Sequence, residues 1–191
     1  MVEQVQRDRL CDAVVEAVAD NGYRATTVRE VLTRAKISRR TFYELYAGLD
    51  DCFVNAYEQA ADDALTTVAA GCASAGSPER RVEAGLRALL DSYAREPQLA
   101  RACVVEVLAA GDAVRVCREE TMRRLAVLLA EALEGRRAGE RSSYLRARVL
   151  AGGIHELIYD SVARGDFDRL PDLAGEVTAS FELDRGRGPR A

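Results

Sequence analysis

Apolar residues recur along the chain at the three- and four-residue spacing of α-helices, and no strand-like alternation runs for more than a few residues. The first helix is predicted over residues 4–21, and two shorter helices follow over 28–35 and 39–46. A supporting helix followed by two short helices with a tight turn between them is the layout of a helix-turn-helix. The pattern therefore predicts a compact three-helix unit at the start of the chain.

The two short helices begin at recognisable caps. Thr27 stands three residues before Glu30, the spacing of a capping box, in which each residue satisfies a backbone N–H that the first helical turn leaves unbonded. Ser38 is placed to cap the third helix, and Lys36 with Ile37 forms the turn between the helices. These caps predict both helix starts independently of the apolar pattern.

Helical periodicity continues through the rest of the chain, with glycine, proline or polar residues at the breaks. Further helices are predicted over 49–71, 79–95, 98–110, 113–134, 142–164 and 171–183. We therefore expect an all-α fold of about nine helices. Residues 1–48 would form the helix-turn-helix domain, and 49–184 a helical regulatory and dimerisation domain that the fourth helix, 49–71, connects to it. The tail 185–191 is expected to be disordered.

Composition is typical of a cytosolic protein. Of the 191 residues, 48% are hydrophobic and 30% charged, and no stretch approaches the roughly 20 apolar residues of a membrane span. The polar N-terminus lacks the layout of a signal peptide. The five cysteines are scattered, so most are expected to be small buried hydrophobic residues. We expect a cytoplasmic location without membrane association.

Positive charge is concentrated in one segment of an acidic chain. The net charge is −4, yet residues 24–46 hold six basic residues against two acidic ones. From Leu49 onward the balance reverses to 19 basic and 24 acidic residues. A small basic patch on an acidic molecule is typical of a localised docking face for a polyanion. This patch coincides with the predicted helix-turn-helix.

Seven side chains of the basic segment are expected to contact DNA. Arg39, Arg40 and Thr41 occupy the first turn of the third helix, the part of a recognition helix that reaches base edges, and arginine can bond to guanine through two donors. The other four, expected mainly on the sugar–phosphate backbone, are Thr27, Arg29, Ser38 and Tyr43. The predicted partner is double-stranded operator DNA.

The run TTVREVLTRAKISRRTFYELY, residues 26–46, resembles the DNA-binding unit of the TetR (tetracycline repressor) family, and Asn21-Gly22-Tyr23, Phe53 and Tyr57 fit the same pattern. Beyond the N-terminal part, only length and helical rhythm match. The resemblance implies a homodimeric, ligand-released repressor acting on a palindromic operator. It implies the same DNA-contact roles at Thr27, Ser38, Arg39, Arg40, Thr41 and Tyr43.

Three positions depart from the family pattern. Lys36 stands where the turn usually has glycine, which predicts a strained turn or a lysine in an unusual backbone conformation. Leu49 replaces a lysine that often contacts phosphate. Glu44 places a negative charge on the recognition helix, where it is expected either to pair with Arg40 or to accept a hydrogen bond from cytosine.

The last two helices are predicted to form a dimer interface. The helix over 142–164 carries a broad apolar stripe interrupted by Gly152-Gly153, which is tolerated where another backbone approaches closely. With the final helix it fits the contribution of one subunit to a four-helix bundle, although packing within one chain is the alternative. The predicted interface residues are Leu150, Ile154, Leu157, Ile158, Leu173, Val177 and Phe181.

A pocket for a small apolar or aromatic effector is expected among the fourth to eighth helices. Its candidate lining residues are Tyr57, Tyr93, Arg101, Glu106, Met122, His155 and Tyr159. Each tyrosine is either a ligand contact or a core edge with its hydroxyl in water, and His155 is either a sensor or a satisfied core residue. We expect the effector to drive a pivot of the fourth helix that changes the separation of the two recognition helices.

Other classes of protein find little support. A single histidine and scattered cysteines form no metal-ligand pair, so neither a metal nor a cofactor is expected. The absence of a glycine-rich phosphate loop, a Gly-x-Ser-x-Gly elbow and a His-Glu-x-x-His motif argues against an enzyme. Two alternatives stay open: a helical protein-interaction adaptor, and a thiol-based redox sensor in which Cys103 meets Cys117.

Overall fold

A computed structural model describes residues 2–134 and 141–185, with side chains omitted at 134, 141–143 and 181–185. All regular structure within these ranges is helical, which confirms the all-α prediction. The helices are α1 (Val2–Asn21), α2 (Val28–Ala35), α3 (Arg39–Leu45), α4 (Leu49–Ala73), α5 (Pro78–Arg95), α6 (Pro97–Ala100), α7 (Asp112–Glu134), α8 (Arg141–Arg164) and α9 (Leu170–Arg185). The predicted disordered tail lies, from residue 186 on, outside the described residues.

The segment after α5 departs from the single helix predicted over 98–110. α6 lasts one turn and passes into a wide π-helical turn, Arg101–Val105, and then a 3₁₀ turn, Glu106–Ala109. The consecutive residues Ala102, Cys103 and Val104 are all buried. A π-helical turn rotates less per residue than an α-helix, so it brings neighbouring side chains toward one face. Tertiary packing thus overrides the α-helical pattern here.

The chain divides into two compact units. Unit 1 consists of Met1–Asp62 and Glu96–Thr121, and unit 2 of Asp63–Arg95 and Met122–Ala191. Unit 1 therefore adds to the first three helices the first half of α4, the irregular segment after α6 and the first part of α7. The limits 1–48 and 49–184 for two domains remain a prediction.

Unit 1 has a continuous apolar core that holds the first three helices together. Its fully buried side chains include Leu10, Val14 and Val18 of α1, Val31 of α2, Phe42 of α3, Phe53 of α4 and Val114 of α7. Burying a leucine or phenylalanine side chain contributes roughly 1.5–3 kcal/mol. Because α2 and α3 are short, this shared core, rather than helix propensity, holds them in place.

In unit 2, α5 packs against α9, and α4 crosses α5 at two glycines. A Cβ atom on Gly71 would lie 2.7 Å from the carbonyl oxygen of Ala84, and one on Gly85 would lie 2.9 Å from that of Val68. Such distances are shorter than van der Waals contact, so the two backbones approach closely only because both positions lack side chains. In residues 2–134 and 141–185, no helix is long and apolar enough to cross a membrane.

Candidate nucleic-acid interface

α2 begins at the predicted capping box. The Thr27 hydroxyl accepts the Glu30 backbone N–H at 3.4 Å, and the Glu30 carboxylate accepts the Thr27 backbone N–H at 2.8 Å. The Thr27 hydroxyl also donates to that carboxylate at 2.8 Å. These side-chain and backbone hydrogen bonds lower the pKa of Glu30. The box therefore fixes the start of α2 around an ionised carboxylate.

The turn between α2 and α3 is made by a lysine in the left-handed conformation. Lys36 has φ 55° and ψ 43°, and it is the one residue other than glycine with positive φ in the described parts of the chain. Its backbone N–H donates to the carbonyl of Leu32, as does that of Ile37. The unusual backbone conformation expected for this lysine is confirmed. A side chain in this region costs roughly 1–2 kcal/mol.

α3 begins at Ser38, whose hydroxyl accepts the Thr41 backbone N–H at 3.1 Å and shares a hydrogen bond with the Thr41 hydroxyl at 2.9 Å. This confirms the predicted cap. On the same helix, the Arg39 guanidinium lies 5.6 Å from the centre of the Tyr43 ring. The stacking arrangement holds two candidate DNA-contact side chains together on the outward surface.

Glu44 pairs with Arg40, as one of the two expectations for it required. Arg40 Nε lies 2.9 Å from Glu44 Oε1, and the Arg40 side chain is 89% exposed. The other expectation, a hydrogen bond from cytosine, concerns the complex with DNA and stays a prediction. Leu49, which replaces a family lysine, is half-buried at the start of α4.

The seven predicted DNA-contact residues lie at the start of α2 and along α3. Six of them are exposed and Thr41 is half-buried; the exposed ones are Thr27, Arg29, Ser38, Arg39, Arg40 and Tyr43. Phe42 faces the opposite way, into the core of unit 1. The contacts of these seven residues with DNA remain a prediction, and their common exposure is compatible with it.

Not every basic residue of the segment is available to DNA. Arg34 lies 2.8 Å from Asp20 and 3.7 Å from Glu16, both on α1. It therefore joins α2 to α1. The sequence gives no direct signal of this pairing, because the partners lie more than a dozen residues away on another helix.

A polar junction links the helix-turn-helix to the irregular segment after α6. The Tyr23 backbone N–H donates to Glu106 Oε2 at 3.0 Å, and the Tyr23 hydroxyl donates to Asp50 Oδ1 at 2.6 Å. Burial, followed by the hydrogen bond to Asp50, raises the pKa of Tyr23. Gly22 has φ 81°, and a Cβ there would lie 3.4 Å from Glu106 Oε2. Tyr23 thus contacts both α4 and the segment around Glu106.

Two of the seven predicted ligand-lining residues are brought together within unit 1. Arg101 lies 3.7 Å from Glu106, whose side chain is only 14% exposed. Tyr57, also in unit 1, is buried, and burial raises its pKa to about 12. The remaining four lie in unit 2 and are half-buried: Tyr93, Met122, His155 and Tyr159. The assignment of a ligand to these residues stays a prediction.

An open groove of about 390 Å³ lies in unit 2 between α4 and α7. It is lined by Leu65, Thr66, Ala69, Arg123, Arg124, Val127, Leu128 and Glu131. None of the predicted ligand-lining residues belongs to it. The sequence pattern did not predict this groove, because the two helices that form its walls lie far apart in the sequence.

The structure divides the predicted dimer residues into buried and exposed ones. Leu150, Ile154 and Ile158 are each 4% exposed and Val177 is also buried, so their side chains already pack within the chain. Leu173 is half-buried, Leu157 is 44% exposed, and the side chain of Phe181 lies outside the described part. The assignment of these residues to a dimer interface stays a prediction, and the buried ones have little area left to bury against another chain.

On the side of α8 where Glu156 is exposed, an apolar group of residues is exposed as well. It consists of Leu145 and Val149, which are 62% and 64% exposed, together with Leu157 and the Gly152-Gly153 pair. A Cβ on either glycine would meet no atom within 4 Å. We call these five residues the α8 face. The glycines are therefore not explained by close packing inside the chain.

Within the described ranges, no group of histidine, cysteine, aspartate or glutamate side chains is arranged to hold a metal ion.

No curated protein matches the chain in sequence. Residues 10–55 match the profile of the family described as "Bacterial regulatory proteins, tetR family". This match covers the three short-range features found in sequence and structure: the capping box, the left-handed turn and the capped third helix.

Solved structures match over most of the chain. The fatty acid degradation regulator FadR from Bacillus halodurans is 19% identical, with a TM-score of 0.80 over 91% of this chain and 93% of that one. FadR from Bacillus subtilis in complex with stearoyl-CoA is 19% identical, with a TM-score of 0.79 over 90% and 95%. The reduced form of NemR from E. coli is 17% identical, with a TM-score of 0.71 over 90% and 94%.

At these identities the solved structures show a shared fold, whereas the family profile identifies the DNA-binding unit itself. TetR-family regulators are transcription factors and not enzymes. Over residues 10–55 the chain therefore carries the DNA-binding unit of the tetR family of bacterial regulatory proteins.

Proposed function

We propose that this regulator is a homodimeric repressor that leaves a palindromic operator when it binds a small apolar or aromatic effector. The observation that carries the proposal is the hydrogen bond from the Tyr23 backbone N–H to Glu106. Tyr23 lies in the short turn that precedes α2, and Glu106 lies in the irregular segment after α6. A change in that segment would therefore act directly on the start of the DNA-binding helices.

The irregular segment is suited to such a change. A π-helical turn of five residues followed by a 3₁₀ turn is less stable than a continuous α-helix, and such turns often occur at functional sites. An effector that favours the regular helix would rotate Glu106 away from Tyr23. For release, the effector must bind the DNA-free arrangement more tightly than the DNA-bound one.

α4 offers a second route for the same coupling, as the expected pivot requires. Its residue Asp50 accepts the hydrogen bond of the Tyr23 hydroxyl at 2.6 Å. The helix belongs to both compact units, with its first half in unit 1 and its second half in unit 2. A shift of α4 along its axis would therefore be felt at Tyr23.

The dimer is supported by the α8 face. An apolar helix surface of this kind favours association, and two-fold symmetry would place a second copy of the face against it. Gly152-Gly153 would then allow two α8 helices to approach closely. A helix-turn-helix dimer reads two half-sites separated by about one turn of DNA, which a palindromic operator provides.

For the effector, the FadR structure with stearoyl-CoA makes long-chain acyl compounds the first to test. The acyl chain of such a compound is apolar, which agrees with the effector class proposed here. The groove between α4 and α7 combines apolar walls with Arg123 and Arg124, so it is one candidate for an anionic amphipathic molecule.

The thiol-sensor alternative receives less support. Reactive sensor thiols need a lowered pKa, because the thiolate is the nucleophile. Burial raises the pKa of Cys103 to about 12. Burial and then the hydrogen bond to Glu58 raise the pKa of Cys117, and the pKa values of Cys11, Cys52 and Cys72 are raised by burial as well. None of the five is set up as a fast-reacting thiolate at neutral pH.

Selection of binding sites from random duplex DNA tests the proposal as a whole. We expect two inverted half-sites about 10 base pairs apart centre to centre, bound by a dimer in light scattering. Binding that falls steeply between low and moderate salt separates a DNA contact from a protein-interaction adaptor. Stearoyl-CoA and a set of aromatic compounds would then be added to the complex. If no duplex is enriched, the repressor part of the proposal is contradicted. If none of the compounds releases the protein from the duplex, the sensing part is contradicted.

A further inference from the structure

Two arginines of α1 contact the carboxyl ends of the two helices that form the helix-turn-helix. Arg9 Nη2 donates to the carbonyl oxygen of Ala35, and the same nitrogen lies 3.5 Å from the carbonyl oxygen of Lys36. Arg7 donates to the carbonyl oxygen of Leu45 at 3.4 Å, and its guanidinium lies 5.2 Å from the centre of the Tyr46 ring. We call Arg7 and Arg9 the α1 clasp.

The chemistry of helix ends explains why arginine is effective here. The last four carbonyl groups of a helix have no partner within it, and the end carries partial negative charge. Guanidinium offers five donors in a fixed plane, so one side chain can serve two neighbouring carbonyls. α2 has eight residues and α3 seven, which is too short for stability without support at both ends.

Arg9 contacts the strained point of the turn. Lys36 adopts the left-handed conformation that is usually given to glycine, and Arg9 contacts the carbonyl oxygens that precede and follow its Cα, those of Ala35 and Lys36. The orientation of α3 relative to α2 depends on the backbone angles at this residue. A bond that fixes those carbonyls therefore also fixes how α3 is presented.

We propose that Arg9 is a positioning residue for DNA recognition: it holds Lys36 in the left-handed conformation and so sets the angle at which α3 meets the base pairs. Arg7 supports the far end of α3 in the same way. Neither role requires contact with DNA. The competing role for an exposed arginine near the interface is an ordinary phosphate contact, and the two roles differ in their salt dependence.

The experiment measures affinity for the duplex selected from random DNA and for poly(dI-dC), each at several salt concentrations. The variants are Arg9→Ala, Arg9→Lys, Lys36→Gly and the double variant, with the exposed Arg80→Ala of α5 as the charge-matched control. For Arg9→Ala we expect about tenfold weaker binding to the selected duplex, little change on poly(dI-dC), and an unchanged salt slope. Lys36→Gly should restore most of the loss, because glycine adopts the left-handed conformation without strain.

Exchange of the Ile37 amide proton supplies a readout that needs no DNA. Its hydrogen bond to Leu32 closes the turn, so its exchange should quicken in Arg9→Ala and slow again in the double variant. A salt slope that falls by about one unit without rescue by glycine would identify a phosphate contact and overturn the proposal. Equal losses on both DNAs would reduce Arg9 to a stabilising residue and overturn it as well.

If Arg9→Ala fails to fold, Arg9→Lys decides the question. Lysine keeps the positive charge but replaces the planar guanidinium with a strongly hydrated ammonium on a flexible stem, so we expect weaker specific binding at unchanged salt slope. Full activity of this variant would contradict the proposal. If the wild-type protein enriches no duplex, the proposed repressor function fails, whereas the amide exchange still tests Arg9.

Discussion

Single residues at the recognition helix carry opposing charges. Arg40 projects into solvent, but its guanidinium is bound to Glu44 one turn later on the same exposed surface. Because both side chains are exposed, this pair contributes little to stability. Its consequence lies in DNA binding: Arg40 must leave Glu44, or share its donors, in order to bond to a base.

Arg40→Ala is expected to weaken binding to the selected duplex and to relax base preference at one position, by about 1–3 kcal/mol of discrimination, because a bidentate contact to guanine is lost. Glu44→Gln should act in the opposite direction on affinity, since it removes a negative charge near phosphate. Gel-shift titrations with single-base variants of the duplex measure both. An unchanged base preference in Arg40→Ala would remove Arg40 from base recognition.

The capping box at α2 makes part of the stability depend on pH. The hydrogen bonds from Thr27 lower the pKa of Glu30 in the folded chain, so the ionised carboxylate stabilises the fold above its unfolded pKa. This contribution is lost as the pH falls through the lowered pKa. In thermal unfolding, Glu30→Gln should therefore melt below the wild type at pH 7, and the gap should close under acidic conditions. A gap that does not change with pH would contradict this account of Glu30.

At the level of helices, two pairs of glycines lie in different surroundings: one pair lets two helices approach closely, and the other lies on an exposed helix surface. α4 and α5 meet at Gly71 and Gly85, where a Cβ would overlap the neighbouring backbone. On α8, Gly152 and Gly153 have no atom within 4 Å of a Cβ position and lie among exposed apolar residues. The first pair is explained by packing inside the chain, and the second by the proposed contact between two chains.

Gly71→Ala should destabilise unit 2 by about 1–3 kcal/mol, because the added methyl group would lie 2.7 Å from the Ala84 carbonyl oxygen and force the helices apart. Gly76→Ala is the matched control, since a Cβ there meets nothing within 4 Å. Urea unfolding compares the two variants. Equal stability would show that the crossing of α4 and α5 adjusts without cost.

Val149→Glu should convert the dimer to a monomer, because it places a charge at the centre of the α8 face while leaving the buried side of the helix unchanged. Val116→Glu on α7 is the control, as this valine is also exposed. Sedimentation or light scattering gives the mass of each variant, and circular dichroism checks that both are folded. A dimer that survives Val149→Glu would place the interface elsewhere.

At the level of the whole molecule, the proposed regulation requires contacts between the DNA-binding helices and the segment proposed to respond to an effector. Unit 1 contains such contacts, because Glu106 binds the backbone of Tyr23 and Gln98 donates to Asp20 of α1 at 3.2 Å. The bond from Gln98 to Asp20 joins two exposed side chains and therefore contributes little. The bond to Glu106 is the best shielded, since that side chain is largely buried.

Glu106→Ala should lower the free energy of unfolding by about 1–3 kcal/mol, because the Tyr23 N–H loses its acceptor in a part-buried position. Glu106→Gln should cost less, since the amide oxygen still accepts a hydrogen bond. In both variants, the effect of an active effector on DNA affinity should shrink. Undiminished release by the effector, measured on the selected duplex, would exclude Glu106 from the coupling route.

The features that could be predicted from the sequence depend on interactions over three or four residues. The helix periods, the capping box at Thr27, the cap at Ser38 and the Arg40–Glu44 pair all belong to this class, whereas the unusual angles at Lys36 were expected from the family resemblance. Such features are local, so residue types and their spacing are sufficient to predict them. The resemblance to the TetR family rests on the same local run.

Contacts between residues far apart in the sequence follow from tertiary packing, which local spacing does not contain. Tyr23 and Glu106 are 83 positions apart, and Arg9 reaches Ala35 across 26. Tertiary packing also turned Leu150, Ile154 and Ile158 inward on a helix that carries further apolar residues on its exposed side, and it replaced a predicted α-helix after Pro97 with irregular turns. Periodicity shows that a helix has apolar faces, but which face is buried depends on neighbours that the pattern does not contain.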